Sequence, residues 1–303
     1  MRGRTLFYTP AAEDLAKPLG KALNIEPLAI YINQFPDSEW YVRVPEETAD
    51  PNPMLVHRLF PNQNDSLLQL MLILSELADR NQKAQLVTPY LPYAKMHKKV
   101  QPGEVVSAKM VGAWLSRWTD EIVTLDCHFI KREGTVSMWG GNYANLSAAG
   151  MLLAYAREHS KEPVIVSPDE GAQYLAEGGK ERFTLKKVRG GYEQGASGFQ
   201  RYSKTEGRLD VAGKAVYLVD DMIATGGTMI KAISLAKEAG ASRVVALATH
   251  GLFVGGADLR MAEAGADRVV VTNSIVTRYS ELDIAPLLAA HLGAGHPSRE
   301  GAV

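Results

Sequence analysis

Ten residues near position 220 constrain the fold more than any other part of the chain: Val219-Asp220-Asp221-Met222-Ile223-Ala224-Thr225-Gly226-Gly227-Thr228. Ahead of them, Ala215-Val216-Tyr217-Leu218-Val219 is a short continuous apolar run, the pattern of a strand buried on both faces. Behind them, Met229, Ile233 and Ala236 recur at i, i+4 and i+7, with Ile230 beside them, up to Gly240. That spacing predicts an amphipathic helix with a glycine stop. Two acids therefore sit at the carboxyl end of a buried strand, and a glycine-rich turn opens a helix. Open α/β sheets bind ligands at such places. Adjacent glycines let backbone N–H groups converge, and the helix N-terminus behind them favours a phosphate. Thr225 and Thr228 add hydroxyl donors. A phosphate alone would not want two carboxylates beside it. The acids suit the hydroxyls of whatever carries the phosphate, or a metal next to it, so the expected ligand is a phosphorylated polyol such as a sugar. A strand, a tight turn and a helix with a solvated Asp pair is the plainer alternative.

The rest of the chain repeats the alternation. Residues 5–8 read as extended, 11–23 as helix, and 28–32 with 41–44 as a strand pair around a polar corner. A strand over 54–60 precedes a long helix capped by Ser66, whose apolar stripe includes Leu67, Leu70, Leu74 and Leu77. Then come a strand at 85–88, a helix at 107–118, a strand at 121–126 and a helix across 146–157. Strands follow at 164–166, 183–188, 215–221, 243–248 and 268–272. This is an α/β chain with mostly parallel sheet. With 303 residues it suits two ordinary domains, 1–147 and 148–292, and a flexible tail over 293–303. Residues 190–208, rich in Gly, Ser, Gln and charge without periodicity, read as a long loop of the kind that closes over ligands.

Bulk properties narrow the partners. Thirty-three basic against 34 acidic residues leave a net charge of −1, which predicts no nucleic-acid surface. No run approaches the ~20 apolar residues of a membrane span, and the N-terminus lacks the apolar core of a signal peptide. The single cysteine, Cys127, excludes an intramolecular disulfide and fits a reducing compartment, so the expectation is a cytoplasmic protein. Cys127 itself reads as a small buried hydrophobe. No G-x-x-x-x-G-K-[ST] occurs, and no G-x-G-x-x-G follows a predicted strand.

Other segments carry chemistry at strand ends. Asn33-Gln34-Phe35-Pro36-Asp37-Ser38-Glu39 joins two strands as a polar corner with one aromatic ring. Pro89-Tyr90-Leu91-Pro92-Tyr93-Ala94-Lys95-Met96-His97-Lys98 is a basic, aromatic loop. In Leu125-Asp126-Cys127-His128, a strand period of two would put Asp126 and His128 on one side and Cys127 on the other. Ser167-Pro168-Asp169-Glu170-Gly171-Ala172 puts acids and a glycine after a buried strand, which suits a Mg²⁺–diphosphate because Mg²⁺ prefers carboxylate and phosphate oxygens. Lys186-Lys187-Val188-Arg189 is a basic run at the mouth of the long loop, and Thr249-His250-Gly251-Leu252-Phe253 follows another strand. Each of these has a plain structural reading as a turn, a solvated face or a satisfied core residue.

Taken together, the segments resemble the ribose-phosphate diphosphokinases (PRPP synthetases) of the type I phosphoribosyltransferase group. The resemblance runs in family order from about Phe35 to about Thr272. It implies two phosphoribosyltransferase-like α/β domains, the first without its own sugar-phosphate loop, and the transfer of a diphosphoryl group from Mg²⁺–ATP to ribose 5-phosphate. Residues 220–228 match the ribose-5-phosphate signature, which implies Asp220 and Asp221 on the ribose hydroxyls and Ala224, Thr225, Gly226, Gly227 and Thr228 around the 5-phosphate. The corner matches F-x-D-G-E, implying that Phe35 stacks on the adenine of a neighbouring subunit with Asp37 and Glu39 beside it, and hence a homo-oligomer. The basic loop matches P-Y-x-x-Y-A-R-Q and implies ATP contacts from Lys95, Met96 and His97. The D-x-H element implies His128 on the ATP phosphates and Mg²⁺, with a catalytic part. S-P-D-x-G-G is matched by Asp169, Glu170, Gly171 and Ala172 on the diphosphate, Asp169 also on Mg²⁺, and K-x-R by the catalytic Lys187 and Arg189. The T-H-x-x-F string, at Thr249 to Phe253, could border the nucleotide.

Departures cluster near ATP. Ser38 replaces a glycine, Lys95 an arginine able to make a bidentate fork, and Met96 a hydrogen-bonding glutamine. Ala172 and Ala224 stand where glycine and aspartate are usual. The changes point to an altered donor site, so a diphosphokinase with another nucleotide or sugar phosphate is one alternative. A non-catalytic regulatory subunit is a second, and a phosphoribosyltransferase, which would need neither the Phe35 corner nor the D-x-H element, is a third.

Overall fold

The computed structural model describes residues 3–46, 49–168, 170–176, 181–184, 186–195, 198–206 and 210–294, which fall into two compact units. In the first unit, β1 (Leu6–Tyr8), a 3₁₀ turn (Pro10–Ala12), α1 (Glu13–Leu23) and β2 (Pro27–Ala29) open the chain. A two-stranded antiparallel ribbon of β3 (Tyr31–Gln34) and β4 (Trp40–Arg43) follows. Then come β5 (Met54–Val56), α2 (Gln63–Asp79), β6 (Ala84–Val87), α3 (Ser107–Ser116), β7 (Thr119–Leu125), β8 (Gly134–Met138) and β9 (Gly141–Leu146). The sheet runs β2-β1-β5-β6-β7-β9-β8 and is parallel except for the β8–β9 hairpin. Its core joins Leu55, Leu86 and Ile122 of the sheet to Leu70, Ile73, Leu74 and Leu77 of α2 and Val111 and Leu115 of α3, all buried.

The second unit holds α4 (Ala149–His159), β10 (Val164–Ser167), a 3₁₀ turn (Glu170–Ala176), β11 (Glu181–Thr184), β12 (Lys186–Gly195), β13 (Gly198–Glu206) and β14 (Ala215–Ile223). It continues through α5 (Gly227–Glu238), β15 (Arg243–Gly251), α6 (Ala257–Glu263), β16 (Arg268–Thr272) and β17 (Ser280–Leu282). The sheet order is β11-β10-β14-β15-β16-β17, with parallel pairings throughout. The unbroken apolar run of β14 has a direct cause. Val216 and Leu218 pack with Met229 and Ile233 of α5 on one face, while Tyr217 and Val219 pack with Leu152 and Leu153 of α4 on the other. Both units are thus mostly parallel sheets flanked by helices, and no helix among the described residues is long and apolar enough to cross a membrane.

Several boundaries differ from the sequence expectation. The long helix starts at Gln63, with Asn62 in the left-handed region at φ 56°, three residues before the expected cap Ser66; the Ser66 carbonyl instead receives the buried His57 ring at 2.9 Å. Leu146 ends β9, and the helix expected from 146 begins at Ala149. No element was expected between residues 126 and 146, where the β8–β9 hairpin lies; Trp139 and Gly140 at its tip both have positive φ, 54° and 85°. That is the backbone of a type I′ turn, whose twist matches the flanking strands. Residues 190–208, expected as a loop, belong largely to an antiparallel ribbon of β12 and β13 with a register shift between Arg189 and Tyr192. The strand expected over 183–188 is two strands, β11 and β12.

The chain end is also different. A final helix α7 (Ala285–Gly293) and the segment from Asp283 onward group with the first unit, not with the second. Ala285, Leu288 and Leu292 are buried there, and Arg4 Nη1 donates to the Leu292 carbonyl at 3.0 Å. The helix is apolar and needs a partner surface; α1 supplies it. The expected flexible tail lies, from residue 295, outside the described residues.

Candidate functional site

In the second unit the turn after β14 is built from both sides. Asp220 and Asp221 are buried, 8% and 4% exposed, and the Asp221 N–H donates to Asp220 Oδ1 at 2.9 Å. Gly226 caps α5 with φ 73°, a left-handed conformation that costs an L-residue about 1–2 kcal/mol. A Cβ there would also meet the Ala257 Cβ at 3.0 Å. Glycine is required twice over.

Three successive carbonyls of the turn are held by the segment after β15. Ile223 O accepts from the Leu252 and Phe253 amides at 2.9 and 3.1 Å, and Ala224 O from the Val254 amide at 2.9 Å. Thr225 O accepts from Arg260 Nη2 at 2.8 Å. In a trans peptide the N–H of the next residue points opposite its carbonyl. The amides of Ala224, Thr225 and Gly226 are therefore directed away from that segment, just ahead of the first turn of α5. Such an array, with the helix N-terminus behind it, attracts an anion. Thr225 and Gly227 are exposed, and Ala224 and Thr228 half-buried. His250, one of the candidates for the nucleotide, is 1% exposed and shares a 2.9 Å hydrogen bond with Ser274 Oγ, so it is held within the core. Beyond it, Asp258 at the start of α6 accepts from Arg278 and from the Tyr279 hydroxyl; the Arg278 guanidinium holds its carboxyl below the usual range.

The other second-unit candidates are placed more coarsely. Ser167 ends β10 fully buried, Asp169 lies outside the described residues, and Glu170 and Gly171 open the 3₁₀ turn by their backbone. Ala172 is fully buried with Leu175 and Tyr217, so its methyl, where the family has glycine, is taken up as core. Lys187 and Arg189 occupy alternate positions of β12, paired with Thr205 and Ser203; their side chains lie outside the described set.

In the first unit, the corner between β3 and β4 is closed by Phe35 N–H to Glu39 O at 2.8 Å and Ser38 N–H to Phe35 O at 2.9 Å. Asp37 Oδ1 accepts from the Glu39 amide at 3.1 Å. Ser38 adopts φ 76°, so the serine follows the left-handed backbone that suits glycine. Phe35 is 45% exposed and lies edge-to-face with Tyr41, ring centroids 5.9 Å apart. A cavity of about 940 Å³ opens near this ribbon, lined by Leu28, Trp40, Val42, Leu72 and Arg80 among others; none of the site residues expected from sequence lines it.

The loops after β6 and β7 meet. His97 and His128 are edge-to-face with centroids 5.9 Å apart, and burial, then His128 and Lys98, push the His97 imidazole below its ordinary value. Lys95 is exposed and Met96 half-buried. The alternation expected for Asp126, Cys127 and His128 does not occur, because β7 stops at Leu125 and Asp126 turns to φ 36°. Asp126 and Cys127 are both buried, and His128 is half-buried. Sequence reasoning missed Asn145, whose Oδ1 accepts from the Cys127 amide and whose Nδ2 donates to Arg132 O, both at 2.8 Å. A buried-strand Asn next to Tyr143, Ala144 and Leu146 was the available signal. Arg260 was missed as well; an arginine three residues after Ala257 on a short helix has no motif of its own.

Comparison with known proteins follows these features. Residues 4–118 match the N-terminal domain of ribose phosphate pyrophosphokinase, and residues 207–288 the phosphoribosyl synthetase-associated domain. The ribose-phosphate pyrophosphokinase of Methanobrevibacter smithii is 33% identical over 294 residues, 92% of this chain and 96% of that one. That of Methanosarcina mazei is 33% identical over 289 residues, 93% of each chain. The crystal structure of phosphoribosylpyrophosphate synthetase from Mycobacterium smegmatis superposes with a TM-score of 0.75 at 28% identity, covering 96% of this chain and 98% of that one.

Proposed function

The chain belongs to the ribose-phosphate pyrophosphokinase family, and on that premise we propose that it transfers the diphosphoryl group of Mg²⁺–ATP to the C1 hydroxyl of ribose 5-phosphate. The products are PRPP and AMP. The observation that carries the reading is the turn after β14: a buried acid pair followed directly by amides directed away from their own carbonyl partners and by a glycine-capped helix start. A sugar phosphate asks for both halves of that arrangement, acceptors for its hydroxyls and donors for its phosphate.

In this mechanism Asp220 and Asp221 accept from the ribose hydroxyls, and residues 224–228 hold the 5-phosphate. The anomeric oxygen attacks the β-phosphorus and gives up its proton to solvent, the bond from the β-phosphorus to the α-phosphate oxygen breaks, and AMP leaves with that oxygen. Phosphoryl transfer depends on positioning and charge neutralisation more than on covalent help from the protein. Lys187 and Arg189 supply cationic charge to the transferring group, and Glu170, Gly171 and Ala172 follow it in the diphosphate loop. Mg²⁺ takes oxygen ligands and keeps waters. Asp169 and His128, together with the ATP phosphates, would hold it, and the ion would supply neutralisation of the developing charge. Phe35 stacks on the adenine of a neighbouring subunit, with Asp37, Glu39, Lys95, Met96 and His97 around the nucleotide. The working form is then a homo-oligomer, a dimer or larger, in the cytoplasm.

A second reading keeps the acceptor and changes the donor. Exposed Lys95 and half-buried Met96 replace the arginine and glutamine of the family pattern, removing a bidentate fork and an amide from the nucleotide side. ³¹P NMR of the purified protein with Mg²⁺, ATP and ribose 5-phosphate tests both. AMP together with a new diphosphate ester on the sugar is the expected result. Turnover with GTP or CTP alone would favour the second reading, and no turnover with any of the three would sink the first.

A further inference from the structure

We infer that Arg260 is a positioning residue for the ribose-5-phosphate turn, holding its amide donors in their binding orientation without itself touching the phosphate. This rests on the reading of residues 224–228 as the phosphate-binding turn. Ile223 and Ala224 are tied to the segment after β15 by backbone amides, which any sequence supplies. Thr225 O has a side chain as its partner, the guanidinium of Arg260 at 2.8 Å. That carbonyl belongs to the same peptide plane as the Gly226 N–H, so turning one turns the other. Gly226 is also the residue least able to hold its own conformation, because glycine passes between backbone regions at little cost. The peptide that joins Thr225 to Gly226 thus receives a charged side-chain donor, where the two before it receive backbone amides.

The helix carrying Arg260 is fitted to this task. Ala257 and Arg260 are three residues apart and so lie on one face of α6. Ala257 faces the position where Gly226 would carry a Cβ, and Arg260 reaches Thr225 O. Asp258 ties the start of the helix to Arg278 and, at 3.1 Å, to the Tyr279 hydroxyl. The guanidinium thus rests on an anchored element, and its bond to Thr225 O is exposed, so losing it leaves the core intact.

Arg260→Ala and Arg260→Lys test the inference in the full-length protein. The Ala variant is expected to raise KM for ribose 5-phosphate roughly tenfold, the scale of one hydrogen bond from a charged donor. KM for ATP stays unchanged and kcat stays within about twofold. The Lys variant, which keeps one donor, recovers part of the loss. In ¹⁵N-labelled free protein, Arg260→Ala is expected to move the Gly226 amide resonance before any ligand is added. A residue that only touched the phosphate would leave the free protein unchanged. Equal KM for ribose 5-phosphate in wild type and Arg260→Ala, or a parallel rise in both KM values, overturns the inference. Should the wild type bind no ribose 5-phosphate, the functional reading fails, and inorganic phosphate becomes the probe. Amide shifts at Thr225 and Gly226 in the wild type that vanish in Arg260→Ala would then sustain the positioning role, and no shift in either would end it.

Discussion

Individual residues set the conditions under which each unit works. Gly226 combines φ 73° with a Cβ position 3.0 Å from Ala257, so Gly226→Ala is expected to cost about 1–2 kcal/mol and to weaken ribose 5-phosphate binding by about tenfold or more. Chemical denaturation and a ribose 5-phosphate titration check the two halves separately. His57 is fully buried between Thr9 and Ser66, and burial pushes its pKa down from 6.5 to about 4. Its neutral ring has Thr9 Oγ1 at one nitrogen, 2.9 Å away, and Ser66 O at the other. Between those two pH values the unfolded chain binds a proton that the folded one does not. This contribution is therefore complete above pH 6.5 and is lost as the pH falls to about 4, amounting to roughly 3 kcal/mol. Urea unfolding across that range is expected to be less pH-dependent in His57→Gln than in the wild type. Neither residue is understood at equal depth from sequence: the glycine stands in a motif that announces a tight turn, whereas nothing local marks His57 as buried.

At the scale of elements, the strand–turn–helix at 215–238 was legible because three local signals agree: an apolar run, a glycine pair and a 3.6-residue stripe. Where local signals conflict or are absent, tertiary pairing decided. The ribbon of β12 and β13 has no clear alternation, and its strands are held by pairing with each other. The β8–β9 hairpin is similar, with Asn145 serving the neighbouring His128 loop and not its own strand. Lys187 and Arg189 fall two residues apart in the backbone of β12. Lys187→Ala is expected to lower kcat on the order of 10²-fold with little effect on KM for ribose 5-phosphate, as for removal of one charge-stabilising donor. An unchanged kcat in a steady-state assay would remove Lys187 from the catalytic set.

For the whole molecule, each unit is a self-contained sheet with its own core, but the chain does not divide into two consecutive pieces. The segment from Asp283 returns to the first unit, where α7 packs on α1 and buries Leu288 completely. Leu288→Ala is expected to destabilise the first unit by about 2–5 kcal/mol, and hydrogen exchange should report the loss in α1 while the β14–β15 core keeps its protection. The amino-acid sequence alone determined the α/β class, the parallel strands with their apolar runs, and the order of the loops that follow them. Those properties rest on periodicity and turn chemistry, which act over a few residues. Only the tertiary structure decided that the last helix joins the first unit, that His97 stands against His128, and that Arg260 reaches the Thr225 carbonyl. Such contacts join residues tens to hundreds of positions apart. They form because an apolar face or an unpaired donor must find a partner in space, and no local pattern names that partner.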